Sequence, residues 1–204
     1  MALLHTVWVG GPLPPLFESY IEGWRERHAS WDYVHWTDCP PEFQVYPLFR
    51  DARNHVPERN IGQFCSDLIR YEALYRLGGV YVDTDMEPRK PIDDLLGPEC
   101  WACWEKQDAW VGNAVLGAKA GASFLEAVLE ELPRSLERNK GKRPNVSTGP
   151  QLVTRLHRKK PGLTVYDQGL FYPYAYGEWD RSNDDFPDAR GVHRWSNKTG
   201  AGRA

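Results

Sequence analysis

Residues Ser66 to Asp85 constrain this chain more than any other stretch, reading S-D-x-x-R-x-x-x-L-x-x-x-G-G-x-Y-x-D-x-D. Phe64, Leu68, Tyr71 and Tyr75 recur at i, i+4, i+7 and i+11, the stripe of a helix expected from Asn60 to Leu77. Asp67 and Arg70 lie on another face of that helix, and Gly78-Gly79 ends it. Val80 to Asp83 then reads as a short β-branched and aromatic strand, with Pro88 and Pro91 expected to stop any regular element from continuing. Asp83 and Asp85 therefore fall at the carboxyl end of a strand, the edge at which open α/β sheets bind ligands. A D-x-D triplet alone carries no weight, since 14 Asp in 204 residues yield about one by chance. The weight lies in helix, Gly-Gly, strand and triplet occurring together.

The rest of the chain suits an α/β fold. Leu3 to Val9 reads as an opening strand that stops at Gly10-Gly11-Pro12, and a Gly-rich turn after a first strand suits nucleotide binding. Residues 15 to 28 form an amphipathic helix with Leu16, Tyr20 and Trp24, joined by Phe17 and Ile21, on its buried side; residues 31 to 37 form a second strand. Strand, helix, strand within this span is a βαβ opening. Further strands are expected near Cys100 to Trp104 and Asn113 to Ala118, with helices at Ser123 to Arg138 and after Thr148-Gly149-Pro150. From Asp180 onward the chain reads as irregular, interrupted by His193-Arg194-Trp195.

Length and composition favour one compact domain over residues 1–204, and 41% apolar residues with 9 Trp, 10 Tyr and 7 Phe furnish its core without disulfides. No run approaches the length of a membrane span, and the opening MALLHTVWVGG lacks a signal-peptide pattern, so a cytoplasmic protein is expected. Cys100 and Cys103 form one close pair without a second pair to complete a zinc site, which leaves Cys39, Cys65, Cys100 and Cys103 as reduced thiols. The net charge of −3 hides a basic segment, residues 134–160, with nine Lys or Arg against Glu137 alone. It reads as a solvated face or as a surface for an anionic acceptor or membrane.

The Ser66 to Asp85 pattern resembles the DXD-containing sugar transferases, a family that includes fungal initiating mannosyltransferases and capsular polysaccharide enzymes. More distantly, it is similar to the catalytic domains of the clostridial glucosylating toxins. The opening LLHTVWVGG with His5, Trp8 and Gly10, the Thr148-Gly149-Pro150 element and the late His193-x-Trp195 segment extend the resemblance. It implies a GT-A type fold: a Rossmann-like mixed sheet flanked by helices, with residues 1–120 on the nucleotide-sugar side and 121–204 on the acceptor side. It also implies a UDP- or GDP-hexose donor, a glycan or other acceptor, a Mn or Mg ion and retention of anomeric configuration.

Elementary chemistry accommodates those expectations. Cleaving a sugar from a diphosphate builds negative charge on the leaving group, and a hard divalent cation held by carboxylates stabilises it without moving a proton. Asp85 is the expected direct ligand, Asp83 contacts the metal's water shell and ribose or sugar hydroxyls, and His193 can complete the metal or pyrophosphate site. Arg70 can offer forked donors to phosphate or sugar, and Asp67 can accept from the donor sugar; the alternative is a simple i, i+3 helix ion pair worth about 0.2–0.5 kcal/mol. Gly10 would lie at the donor, Trp8 could stack on the base or be core, and Trp195 could cover the sugar and exclude water. Asn113 and Thr148 are read as capping or turn residues rather than catalytic ones. Two rival classes are a metal-dependent phosphohydrolase or nuclease and a noncatalytic carbohydrate-binding protein. For the acceptor, a lipid, a protein side chain or a modified DNA base stand beside a glycan.

Overall fold

A computed structural model describes residues 2–195. β1 (Leu3–Val7) leads through the glycine turn into α1 (Pro15–Arg27) and β2 (Asp32–Trp36), followed by two short helices, α2 (Tyr46–Arg50) and α3 (Ala52–His55). The long central helix α4 (Ile61–Leu77) passes straight into β3 (Gly79–Val82), with β4 (Met86–Pro88) a few residues on. Then come β5 (Cys100–Lys106), β6 (Trp110–Val111), β7 (Val115–Ala118), α5 (Ser123–Arg138), α6 (Pro144–Ser147), α7 (Pro150–His157), β8 (Thr164–Tyr166) and β9 (Gly191–His193).

The main sheet runs β2-β1-β3-β7-β5-β6, with β8 also on β5. β1 is parallel to β2 and to β3, whereas β3 pairs antiparallel with β7, and β7 with β5. The carboxyl ends of β1 and β3 therefore share one edge, which carries Trp8 and Gly10 from one strand and Asp83 from the next. The β1–β3 contact depends on Gly79. Its φ is +103°, and a Cβ there would lie 2.1 Å from the Leu3 carbonyl oxygen, so any side chain would force the strands apart.

Period-two alternation divides the core between the two faces of the sheet. On β3, Val80 and Val82 pack with Leu4, Trp24, Trp101 and Phe171, while Tyr81 faces the opposite cluster built around α4, α5 and α7. Cys100 and Ala102 share that second cluster, and Trp101 and Cys103 the first. All four cysteines are buried and unbridged. No helix among the described residues is long and apolar enough to cross a membrane.

Three expectations need correction. On α1, Phe17, Ile21 and Trp24 are buried but Leu16 is 43% exposed and Tyr20 only half-buried, because the helix packs through a narrower stripe than its composition suggested. Pro88 does not stop regular structure: Met86–Pro88 form an edge strand, where a missing N–H is tolerated. Its antiparallel partner is Gly191–His193, so the tail past Asp180 contains a strand as well as a 3₁₀ turn at Trp179–Asn183. That pairing is long-range, and nothing in the local sequence announces it.

Candidate active site

Asp83 shares the parity of Tyr81, so its side chain leaves β3 toward α4. There the Arg70 guanidinium meets it at 2.9 Å. Arg70 is only 2% exposed. It also donates to Ser66 Oγ at 3.0 Å and to the Asn113 carbonyl, approaches Asp67 Oδ1 at 3.3 Å, and stacks over the Tyr81 ring. The Tyr81 hydroxyl donates to Asp83 Oδ1 and bonds Ser66 Oγ at 2.9 Å. Burial raises the Asp83 carboxyl and Arg70 opposes that shift. The helical pair is therefore no isolated surface bridge; one arginine lies between two carboxylates.

Asp67, 1% exposed, is held from three sides. Thr148 Oγ1 donates to its Oδ2 at 2.6 Å, Asn113 Nδ2 donates to its Oδ1 at 2.8 Å, and Arg70 supplies the charge. Tyr71 ties the network together, accepting from Asn113 Nδ2 at 2.9 Å and donating to the Thr148 carbonyl at 2.7 Å. Burial raises the Asp67 carboxyl, with Arg70 and Thr148 opposing. Asn113 and Thr148 thus do more than cap or turn, since each supports a buried carboxylate.

The β4–β9 pairing aligns Met86 with His193, while the Arg194 amide donates to the Asp85 carbonyl at 3.1 Å and the His193 amide to the Phe171 carbonyl at 3.0 Å. This backbone lacing carries His193 across to the D-x-D turn. Its Nε2 lies 3.2 Å from Asp85 Oδ1 and 3.9 Å from Asp83 Oδ2. Asp83, Asp85 and His193 each place one ligand atom within 4.8 Å of the others. Burial acts to lower the His193 imidazole, but Asp85, Asp83 and Glu105 outweigh it and hold it above its usual value. His193 Nδ1 is buried without a hydrogen-bond partner among the described residues. Two carboxylates and one imidazole form a donor set that could hold a divalent cation, and three protein ligands would leave positions open for other ligands.

The remaining expected residues lie around this centre. Trp8 is half-buried, edge-on to Phe17 at 5.7 Å, with Nε1 unpartnered among the described residues; Gly10, at φ +90°, has open space where a Cβ would be. Trp195 lies 4.2 Å from the His193 ring with a left-handed φ of 55°. Asp67 and Arg70 are turned inward beneath Asp83. Ser66 and Tyr81 stand in the sequence pattern and Tyr71 in the helical stripe, but the sequence reading gives none of them a role at the site. It also missed Glu105, whose carboxyl burial pushes up against the pull of His193.

A mixed sheet with a carboxylate-bearing turn at its parallel carboxyl edge defines the GT-A class of fold, and solved structures agree. The chain superposes on a structure described as PaToxG glycosyltransferase with a TM-score of 0.63 at 12% identity, covering 79% of this chain and 70% of that one. It superposes on a glycosyltransferase involved in glycosylation of the PBCV-1 major capsid with a TM-score of 0.56 at 13% identity, covering 98% of each. Residues 14–102 match the family model for the glycosyltransferase sugar-binding region containing the DXD motif. Over these residues, fewer than half of the chain, it is similar to the DXD-containing sugar transferases. Among curated relatives, Inositol phosphoceramide mannosyltransferase 3 of Schizosaccharomyces pombe is 30% identical over 135 residues, 65% of this chain but 37% of the relative's length.

Proposed function

We propose that this chain is a metal-dependent glycosyltransferase that moves a hexose from a UDP- or GDP-sugar to a glycan or other acceptor with retention of configuration. The observation that carries this reading is the meeting of Asp83, Asp85 and His193 within 4.8 Å at the sheet edge where Trp8 and Gly10 also end. The family match and the mannosyltransferase relative support it.

In this reading Asp85, Asp83 and His193 hold a Mn or Mg ion, which when bound offsets the charge of the leaving nucleoside diphosphate. Asp85 and His193 are mostly buried and present fixed ligand atoms, whereas the Asp83 side chain is 25% exposed and can also meet ribose or sugar hydroxyls. Arg70 fixes Asp83 and keeps a permanent positive charge beneath the reacting centre. Asp67, expected from the sequence to accept from the donor sugar, is instead buried on Thr148, Asn113 and Arg70 and acts by positioning Arg70. Trp8 and Gly10 border the nucleotide and Trp195 covers the sugar, which limits hydrolysis by water.

Residues 1–204 act as one domain, with donor binding mainly in 1–120. His193 and Thr148 bring the acceptor-side part, 121–204, into the same centre. An anionic acceptor or surface would meet residues 134–160, whose cations are exposed except for the half-buried Arg155.

The test is thermal stability and isothermal titration with UDP-glucose, UDP-galactose and GDP-mannose, with and without Mn, on the wild type and Asp85→Ala. Metal-dependent stabilisation by one donor family, abolished by the substitution, is the expected result. No binding to any donor would overturn the reading in favour of a phosphohydrolase or a carbohydrate-binding protein.

A further inference from the structure

Arg194, the residue between His193 and Trp195, gathers three separate segments of the chain. Its amide donates to the Asp85 carbonyl at 3.1 Å. Its guanidinium donates through Nε to Glu87 Oε2 at 2.5 Å, meets the same oxygen through Nη2, and donates through Nη1 to the Ser182 carbonyl in the 3₁₀ turn. The other Glu87 oxygen holds Arg89 at 3.1 Å. The Arg194 and Glu87 side chains are 20% and 22% exposed, so solvent ions screen their pairing only in part.

This pairing falls where strand register is most easily lost. β4 and β9 form a two-stranded sheet of their own, three residue pairs long, apart from the main sheet. So short a pair is marginal by itself, and Pro88 has no N–H to give to it. In a hairpin the turn fixes the register, but Glu87 and Arg194 are 107 positions apart and no turn joins their strands. Side chains must do so instead. At one end of β9, Gly191 is wedged tightly: a Cβ there would lie 3.0 Å from the Trp24 ring and 3.2 Å from the Glu87 carbonyl. At the other end, where His193 Nε2 meets Asp85 Oδ1 at 3.2 Å, the side-chain anchor is Arg194. A slip of one residue would turn His193 to the opposite face, and a slip of two would carry it about 7 Å along the strand.

We propose that Arg194 is a positioning residue for the metal centre: locked on Glu87 and Ser182, it sets the register of β9 on β4 and so holds His193 at ligand distance from Asp85. This inference rests on the reading of Asp83, Asp85 and His193 as metal ligands, and its test separates the two. The role needs a guanidinium, since a lysine ammonium carries the charge but lacks the planar fork that reaches Glu87 and Ser182 together. Removing Arg194 leaves both aspartates of the D-x-D turn in the chain and loosens the histidine, so a bound metal loses its nitrogen ligand before its oxygen ligands.

The experiment measures Mn affinity of the full chain by calorimetry, and nitrogen coupling from a coordinated imidazole by pulsed EPR of the bound Mn, each with UDP and with GDP present. The variants are Arg194→Met, Arg194→Lys, Glu87→Gln and the double substitution Arg194→Met with Glu87→Gln. Arg76→Met, which breaks the ion pair with Glu72 on α4, is the control for a loss of stability alone. All are compared at a temperature at which each is folded by circular dichroism, and Arg194→Lys and Glu87→Gln carry the comparison if Arg194→Met does not fold. The expected result is nitrogen coupling in the wild type that is lost in Arg194→Met, with Mn affinity reduced about tenfold, the lower end of what loss of an outer-shell partner costs. Arg194→Lys and Glu87→Gln should show smaller losses of both, the double variant should be no worse than Arg194→Met, and Arg76→Met should match the wild type. Coupling and affinity unchanged in the Arg194 and Glu87 variants overturn the positioning role and leave the metal centre standing. An equal loss in Arg76→Met also overturns it, by making the effect one of general stability, and additive losses in the double variant overturn it by separating Arg194 from Glu87. Absence of Mn binding in the wild type, or Mn binding without nitrogen coupling, overturns the ligand set and the inference together.

Discussion

Thr148 donates a 2.6 Å hydrogen bond to Asp67 across 81 positions of sequence, joining the α6–α7 junction to the centre of α4. Asp67 is a buried carboxylate, and removing one of its donors leaves a charged acceptor undersatisfied. Thr148→Val, which keeps the shape and removes the hydroxyl, is expected to cost about 1–3 kcal/mol, read by urea unfolding. Thr148→Ser should recover most of that loss. Equal stability in all three proteins would show that the bond contributes nothing.

Arg70 offers a sharper contrast because it lies between Asp67 and Asp83. Arg70→Met leaves the buried Asp67 and the partly exposed Asp83 without their cation and should destabilise by about 3–5 kcal/mol. Arg70→Lys keeps the charge but loses the fork that reaches Ser66, Asn113 and Asp83 together, so it should be only a partial rescue. Mn affinity provides a second readout. It should fall in both variants even where the protein remains folded, since Asp83 is no longer held.

Much of this centre was legible in the sequence, but unevenly. The α4 stripe, Gly78-Gly79 and the β3 alternation are local signals, and together they place Asp67, Arg70, Asp83 and Asp85 around one strand end. What local pattern could not reveal is the direction of the Asp67–Arg70 face. Two charged residues on a helix read as solvent-facing, yet Asn113 and Thr148 arrive from distant segments to satisfy Asp67. The β4–β9 strand pair was hidden for a related reason: three-residue strands carry almost no periodicity, and Pro88 argues against one of them. His193 could be named from its motif, but only the pairing of Met86 with His193 explains why it reaches Asp85.

With Asp83, Asp85 and His193 as the proposed metal ligands, and with Asp85 and Asp83 holding the His193 imidazole above its usual value, metal and proton would compete for the same groups. A ligand histidine must be neutral, so Mn binding below the raised pKa of His193 releases one proton. Apparent Mn affinity should fall about tenfold per pH unit below that pKa and level off above it. Metal-free protein should behave oppositely: a raised folded pKa gives stability at pH values below the unfolded imidazole value, lost as pH rises through the folded one. Calorimetry in two buffers of different ionisation enthalpy measures the proton. Mn binding without proton release would remove His193 from the ligand set.

The four thiols give an independent check on packing. Burial pushes the Cys39, Cys65 and Cys100 thiols up to about 12, and the Cys103 thiol also upward. The thiolate is the reactive form, so none should react with a disulfide reagent at neutral pH on the timescale of minutes, whereas denaturant should expose all four. Fast reaction of a thiol in the folded protein would contradict the burial of the core around that cysteine.

Gly79 tests the fold where it matters most to the centre. Its φ of +103° disfavours any side chain, and a Cβ would meet the Leu3 carbonyl at 2.1 Å. Gly79→Ala should lose about 1–3 kcal/mol to backbone strain alone, and more to separation of β1 from β3. The adjoining Gly78 carbonyl accepts from His5 Nε2 at 2.8 Å, while His5 Nδ1 accepts from Trp36 Nε1 at 3.1 Å, so the same displacement disturbs the β1–β2 pair. β1 ends near Trp8 and Gly10 and β3 at Asp83, so moving one against the other should weaken donor binding beyond what lost stability explains. Donor titration at a temperature where Gly79→Ala remains folded measures that excess. An unchanged affinity would mean that the two strand ends contribute to the site separately.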